Sequence, residues 1–294
     1  SPSIFFPRLI PAGITFNRLP PIDVVLISHN HPDHMDASTL YALEQHHTVT
    51  FMVPQGDKAW FDRRGFKRVR EYMWWDQYTH TPLRAGTGDI TLTFLPALHW
   101  SQRGVFDRNR SLWGSWMVEG IHAPPITPLL SDSTSGHNLL DKTTTISIDS
   151  VQQNENPQHY RIYFAGDTAY GKHFDAIARE FSTIDVALMP VGPCEPSTWM
   201  RSSHVSAEEA GQGFLDLRAR QFIPMHWGTY WFGLEYPLIP IDRLLSWWQS
   251  HVHLSGQSLS LIKFGESITI TPSIPNTRTI PALDQISSSA LSER

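Results

Sequence analysis

Three imidazoles and one carboxylate fall within six positions at His29-Asn30-His31-Pro32-Asp33-His34, directly after the apolar run Ile22-Asp23-Val24-Val25-Leu26-Ile27-Ser28. Imidazole nitrogen and carboxylate oxygen are the donors that Zn²⁺ accepts at catalytic sites. The preceding run is rich in β-branched residues and follows Pro20-Pro21, so it predicts a buried strand. His29 and His31 then project to one side of an extended segment, and a turn at Pro32 brings Asp33 and His34 round from another direction. Further candidate ligands stand at three more predicted strand ends: His99 after 92–98, Asp167 after 161–166, and His226 after 222–225. One histidine at a strand end is ordinarily a satisfied surface or core residue. Three such ends, added to the opening cluster, supply the roughly seven protein ligands that a two-metal site sharing one carboxylate needs. The candidate metal set is therefore His29, His31, Asp33, His34, His99, Asp167 and His226.

Two divalent cations sharing a hydroxide lower the pKa of bound water toward about 7, which provides a nucleophile without a dedicated serine or cysteine. The second cation polarises the substrate oxygen, an arrangement suited to in-line displacement at phosphorus and to acyl hydrolysis. Two Zn²⁺ are the expected cofactor, with Mn²⁺ or Fe²⁺ also compatible with the donors. Asp33 gains a second, catalytic role in orienting or relaying a proton. Thr168 and Tyr170, just past Asp167, either shape the pocket or are turn residues. Trp100, Trp113, Trp116, Trp227, Tyr230 and Trp231 lie near the ligands in sequence. They either line an apolar pocket for an acyl chain or pack in the core. Of each pair Trp74-Trp75 and Trp247-Trp248, one member is expected in the core and the other partly exposed.

Strand-like runs at 22–28, 48–53, 89–95, 115–119, 160–165, 185–191, 221–225 and 258–264 alternate with helical patterns at 37–46, 172–181, 206–219 and 241–251. This order predicts sheets covered by helices. Ser206 with Glu209 three residues later reads as a capping box opening one helix. Segment 121–159 is rich in Pro, Ser, Thr, Asn and Asp without periodicity and is expected to be a flexible insertion between two strands. The expected organisation is one hydrolase domain over 1–270, followed by a disordered tail over 271–294. The formal charge of -5 over 294 residues gives no basic field for a phosphate backbone, so nucleic acid is not expected as a partner. Cys194 is the single cysteine, which excludes an internal disulfide and fits a reducing compartment. It is expected to be a buried thiol rather than a nucleophile. No stretch reaches transmembrane length and the start lacks a signal-peptide pattern. A cytoplasmic location is expected, with peripheral membrane contact compatible. Ser1-Pro2-Ser3 has no initiator Met, so the chain reads as cut from something longer.

The motifs resemble the metallo-β-lactamase superfamily. Within it they resemble the branch of N-acyl-phosphatidylethanolamine-hydrolysing phospholipase D. The opening motif Leu19-Pro20-Pro21-Ile22-Asp23 running into His29–His34 carries the superfamily resemblance, and Pro96-Ala97-Leu98-His99-Trp100 and Tyr163-Phe164-Ala165-Gly166-Asp167-Thr168 extend it. The branch is marked by Ser111-Leu112-Trp113-Gly114-Ser115-Trp116 and His226-Trp227-Gly228-Thr229, with His204-Val205 and Glu208-Glu209-Ala210 between them. The resemblance covers roughly 17 to 270, interrupted by 121–159. It implies an α/β fold, the αββα metallo-β-lactamase sandwich, with metals at one edge. The family's N-terminal β-hairpin and Thr-Asp-Pro segment would precede Ser1, so one sheet is expected to lack the usual N-terminal strands.

The resemblance also implies that His29, His31 and His99 hold one zinc, that Asp33, His34 and His226 hold the other, and that Asp167 bridges them. His204 is implied to lie near the site, either donating to substrate or leaving group or orienting a ligand. Glu195 is implied to border the site, and Trp100, Trp113, Glu195 and Trp227 are the candidate substrate-pocket residues. Two positions depart from the branch: Cys194 stands where an aromatic is usual, and Ser197 replaces a basic residue that could meet an anionic headgroup. The reading is a di-zinc hydrolase, a phosphodiesterase acting on a small-molecule or lipid phosphodiester. A lactonase or other ester hydrolase and a non-catalytic metal-binding regulatory protein are the alternatives. A redox di-iron role is disfavoured because such relatives carry a carboxylate where His31 stands.

Overall fold

The computed structural model describes residues 8–82, 88–122, 158–252, 256–268 and 270. In chain order they form β1 (Val24–Leu26), α1 (Ala37–His46), β2 (Thr50–Pro54), α2 (Lys58–Asp62), β3 (Val69–Tyr72), β4 (Gln77–His80), β5 (Ile90–Leu95) and β6 (Ser115–His122). There follow β7 (Gln158–Phe164), α3 (His173–Glu180), β8 (Ile184–Pro190), α4 (Ser197–Met200), α5 (Ala207–Asp216), β9 (Ala219–Met225), α6 (Ile239–His251) and β10 (Ser258–Leu259). Strands β1, β2 and β3 pair in parallel as one sheet. The other seven run in the order β10-β9-β8-β7-β6-β5-β4, antiparallel from β4 to β7 and parallel from β7 to β10.

Side-chain alternation along the strands explains why the two sheets stack. In β2, Phe51 and Val53 pack with Leu40, Leu43 and Phe61 beneath α1 and α2. Met52 between them points the other way and meets Leu92, Phe94 and Trp116 of the larger sheet. In β6, Trp116 faces the small sheet, while Met117 joins Phe174, Phe214 and Leu244 beneath α3, α5 and α6. Three apolar layers follow, helix on sheet, sheet on sheet and sheet on helix, and these make an αββα sandwich. The chain crosses from the small sheet to the large one at Met73–Asp76, between β3 and β4.

Helix α1 occupies the predicted 37–46, opened by the Asp36 carboxylate accepting from the Thr39 N–H. The capping box of α5 forms as read: Ser206 Oγ accepts from Glu209 N–H, and Glu209 Oε2 accepts from Ser206 N–H. That helix stops at Asp216, short of 219, because Arg218 turns into the left-handed region (φ 55°) and Ala219 already belongs to β9. Strands β3 and β4 and the short helices α2 and α4 were not expected from the sequence. In β3 the central Arg70 and Glu71 are exposed, and β4 is an edge strand of alternating exposure, so neither shows an apolar run. Pairing between β6 and β7 continues to His122 opposite Gln158. Both ends of the expected insertion 121–159 are therefore strand, and the rest of it, like the tail from 271, lies outside the described residues. The Trp74-Trp75 expectation needs correction, since both are exposed. They form the turn at the sheet crossing, with Trp75 at φ 76° and the Trp74 indole N–H donating to Trp113 O. Trp247 is buried and Trp248 half-buried.

Trp116 joins the two sheets. It is fully buried, stacks against Tyr72 and Phe94, and its indole N–H donates to Ile27 O at 3.0 Å, two residues before His29. Trp116→Ala is expected to lower unfolding stability by about 3–5 kcal/mol in a urea titration. Trp199→Ala, at an exposed position, is expected to shift it by no more than about 0.5 kcal/mol.

Candidate metal centre

The candidate ligands sit where backbone ties pull the strand ends together. After β1, Ile27 N–H donates to Met52 O, and Ser28 O accepts from Gly114 N–H at 2.8 Å. The chain is thus tied to both sheets up to the bend at Ser28. His31 O then accepts from both His34 N–H and Met35 N–H, a turn that gathers four candidate ligands into one loop. Asn30 faces away from them, donating to the buried Asp57 carboxylate at 2.8 Å while its backbone oxygen accepts from Arg103. Burial raises the pKa of Asp57 to about 6, against the hydrogen bonds from Ser111 and Asn30.

The His99 and Asp167 loops are bound to each other. Leu98 N–H donates to Thr168 Oγ1 at 3.0 Å, and Ala169 N–H donates to Leu98 O at 2.7 Å. Before Asp167 the chain turns at Gly166 with φ +61°, and a Cβ there would stand 2.7 Å from Ser28 Cβ and 2.9 Å from Gly114 O. Only glycine meets both the dihedral and the close approach. His226 follows β9 in the left-handed region, φ 59°. For a residue with a full side chain this costs on the order of 1 kcal/mol.

All seven candidates meet around Asp167, which is buried. Its Oδ2 lies 3.2 Å from His34 Nε2, 3.8 Å from His99 Nε2 and 3.9 Å from His29 Nε2, and its Oδ1 lies 3.4 Å from His226 Nε2. Asp33 Oδ2 stands 3.1 Å from His34 Nε2 and 3.7 Å from His226 Nε2. His31 Nδ1 is 3.2 Å from His99 Nε2. Three groups have ligand atoms all within 4.8 Å of one another: His29, His31 and His99; Asp33, His34, Asp167 and His226; and His99, Asp167 and His204. His204 Nδ1 lies 3.8 Å from Asp167 Oδ2, so its ring faces the same centre.

Backbone carbonyls fix which ring nitrogen faces inward. His99 Nδ1 donates to Ser203 O at 2.7 Å and His226 Nδ1 to Gly192 O at 2.8 Å, while His29 Nδ1 meets Ser28 Oγ at 3.1 Å. The inward atoms His29 Nε2, His34 Nε2, His226 Nε2, Asp167 Oδ1 and His204 Nδ1 are buried without a hydrogen-bond partner. Unpaired buried polar atoms are expensive, and a ring whose outer N–H is anchored to a carbonyl is the usual posture of a metal ligand. The residues present therefore fit a divalent cation.

The electrostatics agree. Burial holds His29 well below its ordinary pKa, and lowers His31 to about 4 and His99 to about 3. Burial opposes charge on His34 too, but the neighbouring Asp167 and Asp33 carboxylates outweigh it and raise the pKa to about 10. His226 is raised in the same way: burial opposes it, and Asp167 and then Asp33 prevail. Burial would raise Asp167 and Asp33, yet their imidazole neighbours hold both low. The centre thus contains two carboxylates that demand positive charge, two imidazoles, His34 and His226, held toward the protonated form, and three neutral ones, His29, His31 and His99, that can supply lone pairs.

The aromatic candidates divide. Trp100 meets His31 edge-on at 4.2 Å and is covered by the Arg108 guanidinium at 4.5 Å. Trp227, its indole N–H on Pro224 O, lines a cavity of about 160 Å³ with Asp33, His34, His226, Thr229, Tyr230 and Phe232. Trp113 is not among those lining residues; its indole N–H donates to Ala97 O at 3.1 Å and braces the His99 loop. Glu195 also stands outside that cavity, 3.5 Å from Arg243 and accepting from Ser197 N–H. Trp116 is core, and Cys194 is a buried thiol whose pKa burial raises to about 11. Thr168 is buried and ties the two loops, whereas Tyr170 donates to Asp216 on α5.

Two residues escaped the sequence reading. Phe232 stacks parallel on His226 at 5.6 Å. Glu235 accepts the backbone N–H groups of Cys194 (2.6 Å) and Glu195 (3.1 Å), pinning the loop that presents Gly192 O to His226. No motif marks either one; their roles arise from loops that meet only in the folded chain.

A family model described as the beta-lactamase superfamily domain matches residues 1–127 and 126–227. Over 267 residues the chain is 28% identical to N-acyl-phosphatidylethanolamine-hydrolyzing phospholipase D 1 of Caenorhabditis elegans, covering 88% of this chain and 64% of that protein. It is 29% identical over 237 residues to the mitochondrial N-acyl-phosphatidylethanolamine-hydrolyzing phospholipase D of Saccharomyces cerevisiae, covering 80% of this chain and 42% of that protein. The chain therefore spans about half the length of these curated relatives. A metallo hydrolase from the archaeon Ignicoccus hospitalis shares the fold with a TM-score of 0.54 at 17% identity, covering 85% of this chain and 80% of that one.

Two outcomes are expected. A chain stripped of metal carries a proton on His34 at neutral pH, because its raised pKa keeps the ring charged until well above 7. Cation binding must displace that proton, so calorimetric titration with Zn²⁺ in buffers of different ionisation enthalpy should read net proton release, with affinity falling as the pH is lowered. Zero release would show that His34 is already neutral in the metal-free chain. Glu235→Ala, which frees the loop behind His226, should weaken cation affinity by about 10–100-fold, and Glu235→Gln, which keeps one acceptor, by less.

Proposed function

The chain belongs to the beta-lactamase superfamily, and from that premise we propose that it is a metal-dependent hydrolase of phosphodiesters, of the kind named in its N-acyl-phosphatidylethanolamine-hydrolyzing relatives. The observation that carries this reading is the buried ring of unpaired imidazole nitrogens around the Asp167 carboxylate. His29, His31 and His99 would hold one Zn²⁺, Asp33, His34 and His226 a second, and Asp167 would serve both. Cations bound there would supply Lewis acidity and a water of lowered pKa.

The chain's own residues do the rest. Asp33, held anionic by His226 and His34 against the effect of burial, can accept and orient a proton but has none to give at neutral pH. His204, whose pKa burial lowers, is neutral there and can offer a hydrogen bond from its ring N–H to a leaving oxygen, without transferring the proton. Its half-buried position beside Asp167 and His99 places it at the edge of the centre, where a leaving group would depart. Trp227, Tyr230 and Phe232 wall the cavity beside Asp33 and His34 with apolar surface that excludes water and suits an acyl or alkyl portion of a substrate. Ser197 removes one basic contact from the branch pattern. The cation centre itself would remain to engage the phosphate.

The deciding experiment is turnover of zinc-loaded protein on a phosphodiester, including N-acyl-phosphatidylethanolamine in mixed micelles, set against a lactone, with metal content measured by elemental analysis. Phosphodiester turnover supports the reading; turnover of the lactone alone would replace it. Asp167→Ala is expected to abolish turnover and reduce bound metal, and retention of both metals with full activity would refute the ligand map.

A further inference from the structure

Asn30 stands between two candidate ligands and is not one itself. It is buried, and so is its partner Asp57. Asp57 immediately precedes α2, where an aspartate side chain ordinarily accepts from the N–H groups of its own helix. Here it makes no such bond. Glu71 of β3 accepts from the Gly56 and Lys58 N–H groups in its place, each at 2.8 Å, and the Asp57 carboxylate accepts from Asn30 Nδ2 instead. The arrangement is costly, because Asp57 Oδ2 and Asn30 Oδ1 are both buried without a partner. A half-paired buried carboxylate calls for an explanation, and the residue it holds supplies one.

Arg103 holds the same residue by its backbone. Its Nη1 donates to Asn30 O at 3.3 Å, the carbonyl of the peptide that leads into His31. The guanidinium lies over the Trp60 ring of α2 at 4.9 Å, and Asp107 fixes the N–H groups of Arg103 and Gly104. Arg103 belongs to the loop that opens with His99. Asn30 is thus held through its side chain from the start of α2 and through its carbonyl from the loop of the third ligand.

The ligands need that hold unequally. His99 and His226 have backbone carbonyls behind Nδ1, and His29 Nδ1 meets Ser28 Oγ. His31 has no anchor of that kind: its Nδ1 faces His99 Nε2 and its Nε2 is buried without a partner. The place of its ring is therefore set by its backbone and by the edge of Trp100. Asp33 and His34 are followed by the fully buried Met35 and by the Asp36 cap of α1, which fix them from the C-terminal side.

We infer that Asp57 and Arg103 are positioning residues for one cation of the two: through Asn30 they set His29 and His31 for the cation shared with His99, and the cation of Asp33, His34 and His226 does not depend on them. This rests on the ligand map proposed above, not on the identity of the substrate.

The test is calorimetric titration of the metal-free full chain with Zn²⁺, with metal content by elemental analysis and hydrolysis of bis(p-nitrophenyl) phosphate measured beside it. Wild type is expected to take up two Zn²⁺ per chain. Asp57→Ala is expected to keep one at wild-type affinity and to bind the other about 10–100-fold more weakly. Asp57→Asn, which keeps an acceptor for Asn30, should stay close to wild type, and Arg103→Gln should show a smaller loss at the same site. In a His226→Ala background Asp57→Ala should weaken the Zn²⁺ that remains; in a His31→Ala background it should leave it unchanged. Phe214→Leu, in the core beneath α5, controls for general loss of stability: it should lower the urea midpoint and leave both affinities alone. Should Asp57→Ala fail to fold, Arg103→Gln carries the same comparison in the same two backgrounds. Equal weakening of both sites, weakening of neither, or the same selective loss in Phe214→Leu would overturn the inference and leave the ligand map standing. A wild type that takes up fewer than two Zn²⁺ would overturn the map and the inference with it. Selective loss of one Zn²⁺, together with no diester hydrolysis by wild type, would uphold the positioning role and defeat the phosphodiesterase reading.

Discussion

A carboxylate buried among imidazoles is the constraint on which the rest of this molecule depends. Asp167 is almost wholly removed from water, and five histidine rings place a nitrogen within 4 Å of it. An isolated anion in such a place would shift its pKa and become neutral. Here the surrounding rings hold it charged. Two of the rings, His99 and His226, are in turn locked with Nε2 inward by the carbonyls of Ser203 and Gly192. Neither arrangement is self-sufficient: the acids want cations and the imidazoles want an acceptor of lone pairs. A divalent cation answers both at once.

The sandwich is the means of holding this arrangement. The ligands come from both sheets: the early histidines follow β1 of the small one, and His99, Asp167 and His226 follow β5, β7 and β9 of the large one. Their convergence requires the two sheets to register at one edge. Trp116 supplies one tie, from the start of β6 to Ile27. Gly114 supplies another to Ser28, and Gly166 permits Asp167 to approach the same Ser28 without a clash. Side chains packed between the sheets thus set the distance between metal ligands that lie up to 197 positions apart in sequence, and interior packing that resists compression keeps it set.

How much of this could be read in the chain depended on whether the signal was local. The His29–His34 loop, α1, and the Ser206–Glu209 box are written in consecutive residues, and each appears where its spacing puts it. So are the apolar runs of β2, β5 and β8, which announce themselves because both faces are covered. Strand β4 does not, because its residues alternate in exposure and, among the described residues, its outer edge is unpaired. Trp74 and Trp75 mislead for a related reason. Two adjacent indoles look like core, but the turn between sheets holds both at the surface and satisfies one through Trp113 O. Glu235 and Phe232 belong to a third class. They matter only through what they touch, Cys194 and Glu195 in one case and the His226 ring in the other, and a single sequence carries no trace of such contacts.

His226 shows how local strain and distant support combine. Its backbone sits in a region that side-chain-bearing residues seldom adopt, so the position is held by its surroundings rather than by its own preference. Those surroundings are the Gly192 carbonyl behind the ring, the Glu235 carboxylate behind Gly192's loop, and Phe232 flat against the ring face. The contacts come from two runs of chain, the loop from Gly192 into α4, which carries Trp199 outward, and the loop from His226 to α6, which carries Leu234 and Tyr236 outward. Together they anchor a metal-facing imidazole on the inner side and bear apolar side chains on the outer side. Two hydrogen bonds, from the Cys194 N–H to Glu235 and from His226 to the Gly192 carbonyl, thus hold the orientation of the imidazole from behind.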